Sequence, residues 1–326
     1  MNNMNPGIPI LVMAFSRPKQ TKRILQQIEL LNARSVHISV DGSSNEMDYS
    51  HHQNREVRSV ILDWASRTKH EVSFNFFDHN LGLFKHFRIA LSDFFLSKEA
   101  GLILEDDIEF DKSFIDYLDK IYKAQLFTDY WSVCGHNPIR TKDKSFSKSN
   151  FVFMRPTNVH TIWGWAAGRQ TIEDFLMYLD GIENGGISPY STLEDFTKRA
   201  FSDPLLSYQF KESWNNKILR ARNSLTPNWD NFWVLAGWHS GKYSLIADTS
   251  LSRENPDQSE GQTHPHVSAL PNWSNASNRE FLVSGVRRRS LLMERKLLSV
   301  WGVSTRRSIG LQIMRLKVWL LGNTEN

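Results

Sequence analysis

Between residues 8 and 15 the chain is almost unbroken apolar sequence, Ile8-Pro-Ile-Leu-Val-Met-Ala-Phe15, which predicts a strand buried on both faces. Ser16-Arg17-Pro18 follows. Ser16 can cap a helix and Pro18 suits its first turn, so a helix is expected from there to about Leu31. Residues 36–40 read as a second strand ending at Asp41-Gly42. A polar helix is expected over 53–67, a strand over 71–77 where Val72, Phe74 and Phe76 alternate, and a helix over 83–96. Next comes Gly101-Leu-Ile-Leu-Glu105-Asp106-Asp107-Ile-Glu109, a short buried strand running into acids, and then a helix from Ser113 onward. This alternation of strand and helix predicts an α/β fold with a mostly parallel sheet covered by helices. Such sheets bind ligands at the carboxyl ends of their strands. Asp41, Asn80 and the acids Glu105, Asp106 and Asp107 fall at those ends or in the loops after them.

The acidic strand end makes the strongest demand on its surroundings. Successive residues of a strand point to opposite faces, so three carboxylates in a row cannot all escape to solvent on one side. Their repulsion calls for a compensating cation, and a hard divalent ion with oxygen ligands is one candidate. The other reading is a strand that ends in a solvated acidic turn.

Past residue 125 the rhythm is less regular. Trp131-Ser-Val-Cys-Gly135 reads as a strand, 140–150 as loop, 171–222 as a polar, helix-containing stretch and 252–266 as a Gly/Ser/Asn-rich loop. Two aromatic motifs stand out, His160-Thr-Ile-Trp163-Gly164-Trp165 and Asn228-Trp229-Asp230-Asn231-Phe232-Trp233. No internal repeat is present. From about Arg279 the chain changes character: Arg287-Arg288-Arg289, Arg295-Lys296 and Arg306-Arg307 alternate with apolar groups.

Composition narrows the class. With 326 residues, 40% apolar and 23% charged, the chain suits a folded soluble protein of one large domain or two modest ones. The 11 tryptophans are many; such rings line sugar sites, and more often fill cores. A net charge of +4, local to the C-terminal part, and no nucleic-acid-binding module in the pattern argue against nucleic acid as a partner. Cys134 stands alone, which forbids an intrachain disulfide and fits a reducing compartment. The first residues lack a basic-then-apolar signal pattern, and no apolar run is long enough to span a bilayer. A cytoplasmic location is therefore expected.

Seven segments in order carry a likeness to a known family. They are Pro9 through Ser16-Arg17-Pro18, Val40-Asp41-Gly42, Asn80-Leu81-Gly82 with the helix containing Lys85-His86-Phe87-Arg88, Glu105-Asp106-Asp107, Trp163-Gly164-Trp165, Trp229-Asp230-Asn231-Phe232-Trp233, and Gln262-Thr263-His264. Over roughly residues 8 to 266 this pattern resembles GT-A-fold (Rossmann-like) glycosyltransferases related to N-acetylglucosaminyltransferase I and their bacterial nucleotide-diphospho-sugar transferase relatives. The resemblance implies a nucleotide-sugar-binding half over 1–125 and an acceptor-binding, catalytic half of the same domain over 126–268. Residues 269–326 lie outside it and read as a basic amphipathic helical tail.

By that resemblance Asp107 is a direct ligand of Mn²⁺ or Mg²⁺, with Glu105 and Asp106 supporting it or touching ribose and sugar. Carboxylates suit such hard ions, which can neutralise a diphosphate as it departs. His264 reads either as a further ligand or phosphate contact, or as a loop histidine. Asp41 is placed to accept from a pyrimidine N–H, or simply closes an Asp-Gly turn. Arg17, Asn80 and His86 fall on the nucleotide side; Lys85 and Arg88 fit a solvated face. Asp230 is the expected general base, its pKa raised by Trp229, Phe232 and Trp233, or else an N-cap. The relatives often carry a second acid or an aromatic where Asn231 stands. Trp163, Trp165 and Trp229 can stack on an acceptor sugar or pack on the sheet.

The tail can lie on an anionic membrane surface, which suits an enzyme acting on lipid-linked glycan, or pack on the domain with its arginines outward. The expectation is a metal-dependent, inverting transferase that moves a sugar from a UDP-sugar to a growing surface glycan. A sugar-phosphate nucleotidyltransferase is a rival, although Ser16-Arg17-Pro18 stands where such enzymes carry a Gly-rich loop. A non-catalytic carbohydrate-binding protein is the other.

Overall fold

The computed structural model describes residues 7–31, 33–43, 49–123, 125–137, 151–201, 204–223, 229–247, 250–255 and 280–283. Its first half runs β1 (Ile10–Ala14), α1 (Pro18–Glu29), β2 (Ser35–Val40), α2 (Tyr49–Ala65), β3 (Glu71–Phe76), α3 (Leu83–Phe95), β4 (Ala100–Glu105), β5 (Ile108–Phe110) and α4 (Lys112–Lys123). The rest is β6 (Val133–Cys134), β7 (Phe151–Thr157), β8 (Trp165–Gly168), α5 (Arg169–Glu183), α6 (Pro189–Ala200), α7 (Pro204–Asn223), α8 (Trp229–Ser240), β9 (Ser244–Ala247), β10 (Ser252–Glu254) and β11 (Glu280–Val283).

Nine strands make one sheet in the order β11-β7-β9-β6-β8-β4-β1-β2-β3. The β3-β2-β1-β4 portion is parallel throughout. β8 runs against both β4 and β6, β7 runs against β9, and β6 with β9 and β7 with β11 are parallel. β5 and β10 form a separate antiparallel ribbon just past the carboxyl end of β4. The fold is α/β, with a large, mostly parallel mixed sheet flanked by helices, and is compatible with a Rossmann-like arrangement.

Alternation along β1 explains the layering. Ile10, Val12 and Ala14 join a core with Ile24, Leu25, Val57, Ile61, Phe114 and Leu118 from α1, α2 and α4. Leu11 and Met13 face the other way, toward Phe87, Phe175, Trp165 and Trp233 from α3, α5, β8 and α8. Both faces are covered, which is why β1 reads as unbroken apolar sequence. Burying each large aliphatic side chain contributes about 1.5–3 kcal/mol.

Three local outcomes differ from the pattern reading. The residue that caps α1 is Arg17 rather than Ser16, and no side chain caps it; Pro18 occupies the first turn, where a missing N–H costs nothing. Residues 171–222 are polar by composition, yet they deliver Phe175, Phe196, Phe210, Trp214 and Ile218 to the core. Phe210, Trp214 and Ile218 are spaced four apart, so a minority of residues forms a full apolar stripe. The segment expected to begin a helical tail supplies β11, a strand against β7. The remainder of the tail, 269–279 and 284–326, lies outside the described residues, as does the 140–150 loop. No helix among the described residues is long and apolar enough to cross a membrane.

Candidate functional site

The acids sit where two neighbouring parallel strands end. Met13 of β1 is level with Glu105 of β4, and Asp106 N–H donates to the Met13 carbonyl at 3.0 Å. The chain turns at Asp106 and Asp107 and enters β5. Arg17 arrives from the β1–α1 junction with its guanidinium between the two: Nη1 lies 2.5 Å from Asp107 Oδ2, and Nη2 pairs with Asp106 Oδ1. Asp106 is 2% exposed. A carboxylate so buried needs a positive partner, and here the chain itself provides one. The compensating cation expected at this strand end is thus present as Arg17.

The frame around the turn is held by α1 and β10. Asn255 donates its backbone N–H to Asp107 O at 2.7 Å and its side-chain N–H to Gln20 Oε1 at 2.6 Å. Glu109 takes two hydrogen bonds from Arg253, at 3.0 and 2.8 Å, on the outer side of the ribbon. Glu254 falls on the inner side and was invisible to local pattern. It joins the acids because β10 pairs with β5, and no short-range signal announces that pairing.

Four carboxyl groups, Glu105, Asp106, Asp107 and Glu254, therefore share Arg17. Burial pushes Glu105 up to about 8, with the charge of Asp107 adding to it and Arg17 opposing. Burial likewise lifts Asp106 to about 6 against the pull of Arg17, and Glu254 to about 7 with help from Asp107. Burial works against the Arg17 charge too, but Asp106, Asp107 and Glu105 outweigh it and hold the guanidinium protonated.

These carboxyls bind protons more readily folded than unfolded. Their contribution to stability is therefore complete below the ordinary values, 3.8 for Asp106 and 4.5 for the two glutamates, and is lost as pH rises through about 6, 7 and 8. Urea denaturation in EDTA is expected to show falling stability across that interval. Glu254→Gln, which removes one titrating group, is expected to flatten the slope; an unchanged slope would remove Glu254 from the cluster.

The residues expected to meet a nucleotide come together, but largely to hold one another. Asp41 Oδ1 accepts from the N–H groups of Gly42 and Leu81, each at 2.8 Å. Asn80 Nδ2 donates to Gly42 O at 2.8 Å. A Cβ on Gly42 would stand 2.4–2.6 Å from the His79 backbone, so this close approach of two loops requires glycine. His86 is buried and its Nε2 lies 2.8 Å from Ser39 Oγ; burial lowers its pKa although Asp41 opposes that. His86 thus packs against Ser39 and, edge-on at 5.7 Å, against the Phe77 ring. Asn54, not anticipated, ties the strand ends together by donating to Phe15 O at 2.7 Å and Asp41 O at 2.8 Å.

Asp230 lies in the first turn of α8, half-buried, its Oδ1 accepting from Asn231 N–H at 2.7 Å. Its charge is felt at Lys217 and, as the smallest of the influences there, at Glu105. Trp229, Phe232 and Trp233 turn into the core, away from the half-buried carboxylate.

The tryptophan expectations separate. Trp165 is 1% exposed and Trp229 3% exposed, and Trp229 stacks on Phe87 at 3.7 Å. Neither offers a face to a sugar, because neighbouring aromatic rings cover both; their place as acceptor contacts is corrected to core packing. Trp165→Ala is expected to cost about 3–5 kcal/mol in urea unfolding. Trp163 remains half-buried, with its ring edge-on to His136 at 4.5 Å. Gly164 beside it has φ +72°, and a Cβ there would meet Ser252 at 2.8 Å, so the Trp-Gly-Trp turn is fixed by backbone geometry as well as by rings.

Among the described residues no three of His, Cys, Asp or Glu are arranged to hold a metal ion. Magnesium-type ions are commonly held by one or two carboxylates plus substrate phosphates and water, without an all-protein cage. The hard oxygen donors and surplus negative charge of the acid turn fit that mode. His264 lies outside the described residues. No protein-family model matches the chain, and no curated protein matches it in sequence.

Proposed function

We propose that the chain is a metal-dependent, inverting glycosyltransferase of the GT-A type. It moves a sugar from a nucleotide donor, a UDP-sugar in the simplest reading, to a hydroxyl of a glycan acceptor in surface polysaccharide or lipopolysaccharide synthesis. The observation that carries this reading is the Arg17–Asp106–Asp107 arrangement at the carboxyl ends of β1 and β4, with Asp230 in electrostatic reach through Glu105. The parallel β3-β2-β1-β4 order and the reversed β8 support the GT-A type.

In this reading the donor diphosphate lies against the acid turn, where Arg17 provides a fixed positive charge. Asp107 and its neighbours would hold the Mn²⁺ or Mg²⁺ ion, which when bound supplies positive charge for the departing diphosphate. Asp41, Asn80 and Asn54 shape the loops that receive the base. The acceptor oxygen attacks the anomeric carbon from the side opposite the diphosphate, the anomeric C–O bond to the diphosphate breaks with its electron pair going to the departing nucleoside diphosphate, and Asp230 takes the hydroxyl proton. Trp163 is the ring left to contact the acceptor.

A thermal-shift titration of UDP, GDP, CMP and their sugar conjugates, with and without Mn²⁺, tests this. A Mn²⁺-dependent rise with one nucleotide class is expected, since a ligand at 100 times its Kd adds about 2.7 kcal/mol. No rise with any nucleotide would overturn it. Two observations favour a second reading, a non-catalytic carbohydrate-binding protein: Arg17 already pairs with both acids of the turn, and Asp41 accepts from two backbone N–H groups. Under that reading glycans raise the melting temperature and nucleotides do not.

A further inference from the structure

We propose that Glu254 is a ligand of the divalent cation, sharing it with Asp107 across the β5–β10 ribbon. This rests on the metal-dependent reading above and adds a residue that neither the acid motif nor the family resemblance supplies.

Position comes first. Glu254 stands opposite Ile108, the residue after Asp107, and the next residue, Asn255, is hydrogen-bonded to Asp107 O at 2.7 Å. Glu254 is thereby held alongside Asp107, and the charges of Asp107 and Arg17 both act on it. Alternation along β10 fixes its direction. Ser252 and Glu254 are buried, while Arg253 points outward to Glu109. The arginine of its own strand is therefore turned to the other face.

The chemistry follows from burial. Glu254 is 4% exposed, and its Oε2 has no hydrogen-bond partner among the described residues. A buried carboxylate oxygen without a partner is costly and calls for a cation or a proton. Arg17 acts on Glu254 by its charge, while its Nη1 and Nη2 hydrogen-bond Asp107 and Asp106. Asp107 keeps a side-chain exposure of 13%, so an ion between these two carboxylates can still reach diphosphate oxygens and water. Two carboxylates from separate segments, completed by phosphate and water, make a suitable seat for Mn²⁺ or Mg²⁺ and a poor one for a softer metal.

The test is a Mn²⁺ titration of the full chain, read from the electron paramagnetic resonance signal of unbound Mn²⁺, in the presence and absence of UDP. Glu254→Gln keeps the shape and removes the charge. It is expected to weaken Mn²⁺ binding roughly tenfold or more, and to melt in EDTA no lower than wild type, which checks that it folds. Asp107→Asn is expected to weaken Mn²⁺ binding at least as much. Mn²⁺ affinity in Glu254→Gln equal to wild type, with loss confined to Asp107→Asn, overturns the Glu254 assignment and leaves the metal-dependent reading standing. Wild-type protein that takes up no Mn²⁺ in either condition overturns both.

Discussion

Replacing Asp230 with Asn is expected to cut turnover about 10²- to 10⁴-fold, the range a positioned general base contributes, while donor affinity stays at the wild-type value. The expectation follows from where the side chain is anchored. Trp229 and Trp233 root the start of α8 in the core, Trp229 against Phe87 and Trp233 against Trp165. Asp230, between them in sequence, stays half-buried, and its charge is felt at Lys217 and Glu105. The side chain sits in the first turn of α8, where the helix end fixes its position. An Asn oxygen can still accept from Asn231 N–H, so the local fold is retained and the proton acceptor alone is lost. Turnover and kcat/KM should fall together, the sign of an interaction made in the transition state. Turnover of Asp230→Asn equal to wild type would sink the assignment.

What the sequence made legible, and what it hid, follows from the range of the interactions involved. β1, β2 and β4 are buried on both faces, so they appear as apolar runs, and the helices between them carry their own periodicity. The acid turn was visible because it is contiguous. Its partner was not identified as such: Arg17 is 90 residues from Asp107 in sequence, and it faces the acids because β1 and β4 are neighbours in the sheet. Glu254 was hidden for the same reason, since its strand β10 joins β5 with Arg253 opposite Glu109, 144 residues away in sequence. The tryptophans show a different limit. A Trp motif states that a large ring is present but not which way it points, and Trp165 and Trp229 point inward. Asp41 shows a third. An Asp-Gly at a strand end fits both a ligand contact and a turn, and the two backbone N–H groups on its Oδ1 show that the turn role is filled.

Arg17→Met should be the most destabilising single change at the site, by about 3–5 kcal/mol at neutral pH, the usual cost of removing one member of a buried ion pair. The methionine replaces much of the volume, so the loss reads the charge and not a cavity. Asp106, with its side chain 1% exposed, would be left facing Asp107 and Glu105 without the guanidinium that now joins it to Asp107. The deficit should depend on pH in a definite direction. Lowering the pH through about 6 protonates Asp106 and removes a charge that needs a partner, so the deficit should shrink in acid and grow above it, by at most about 1.4 kcal/mol per pH unit from this group. Mn²⁺ offers a second route to the same relief. With Arg17 gone, the acid turn has more uncompensated negative charge, so added Mn²⁺ is expected to raise the melting temperature of Arg17→Met more than that of wild type. Urea denaturation at several pH values, repeated in EDTA and in Mn²⁺, checks both parts. A variant as stable as wild type at neutral pH would mean that Asp106 carries a proton there. The arginine would then be a neighbour of the acid turn, not the charge that holds it in place.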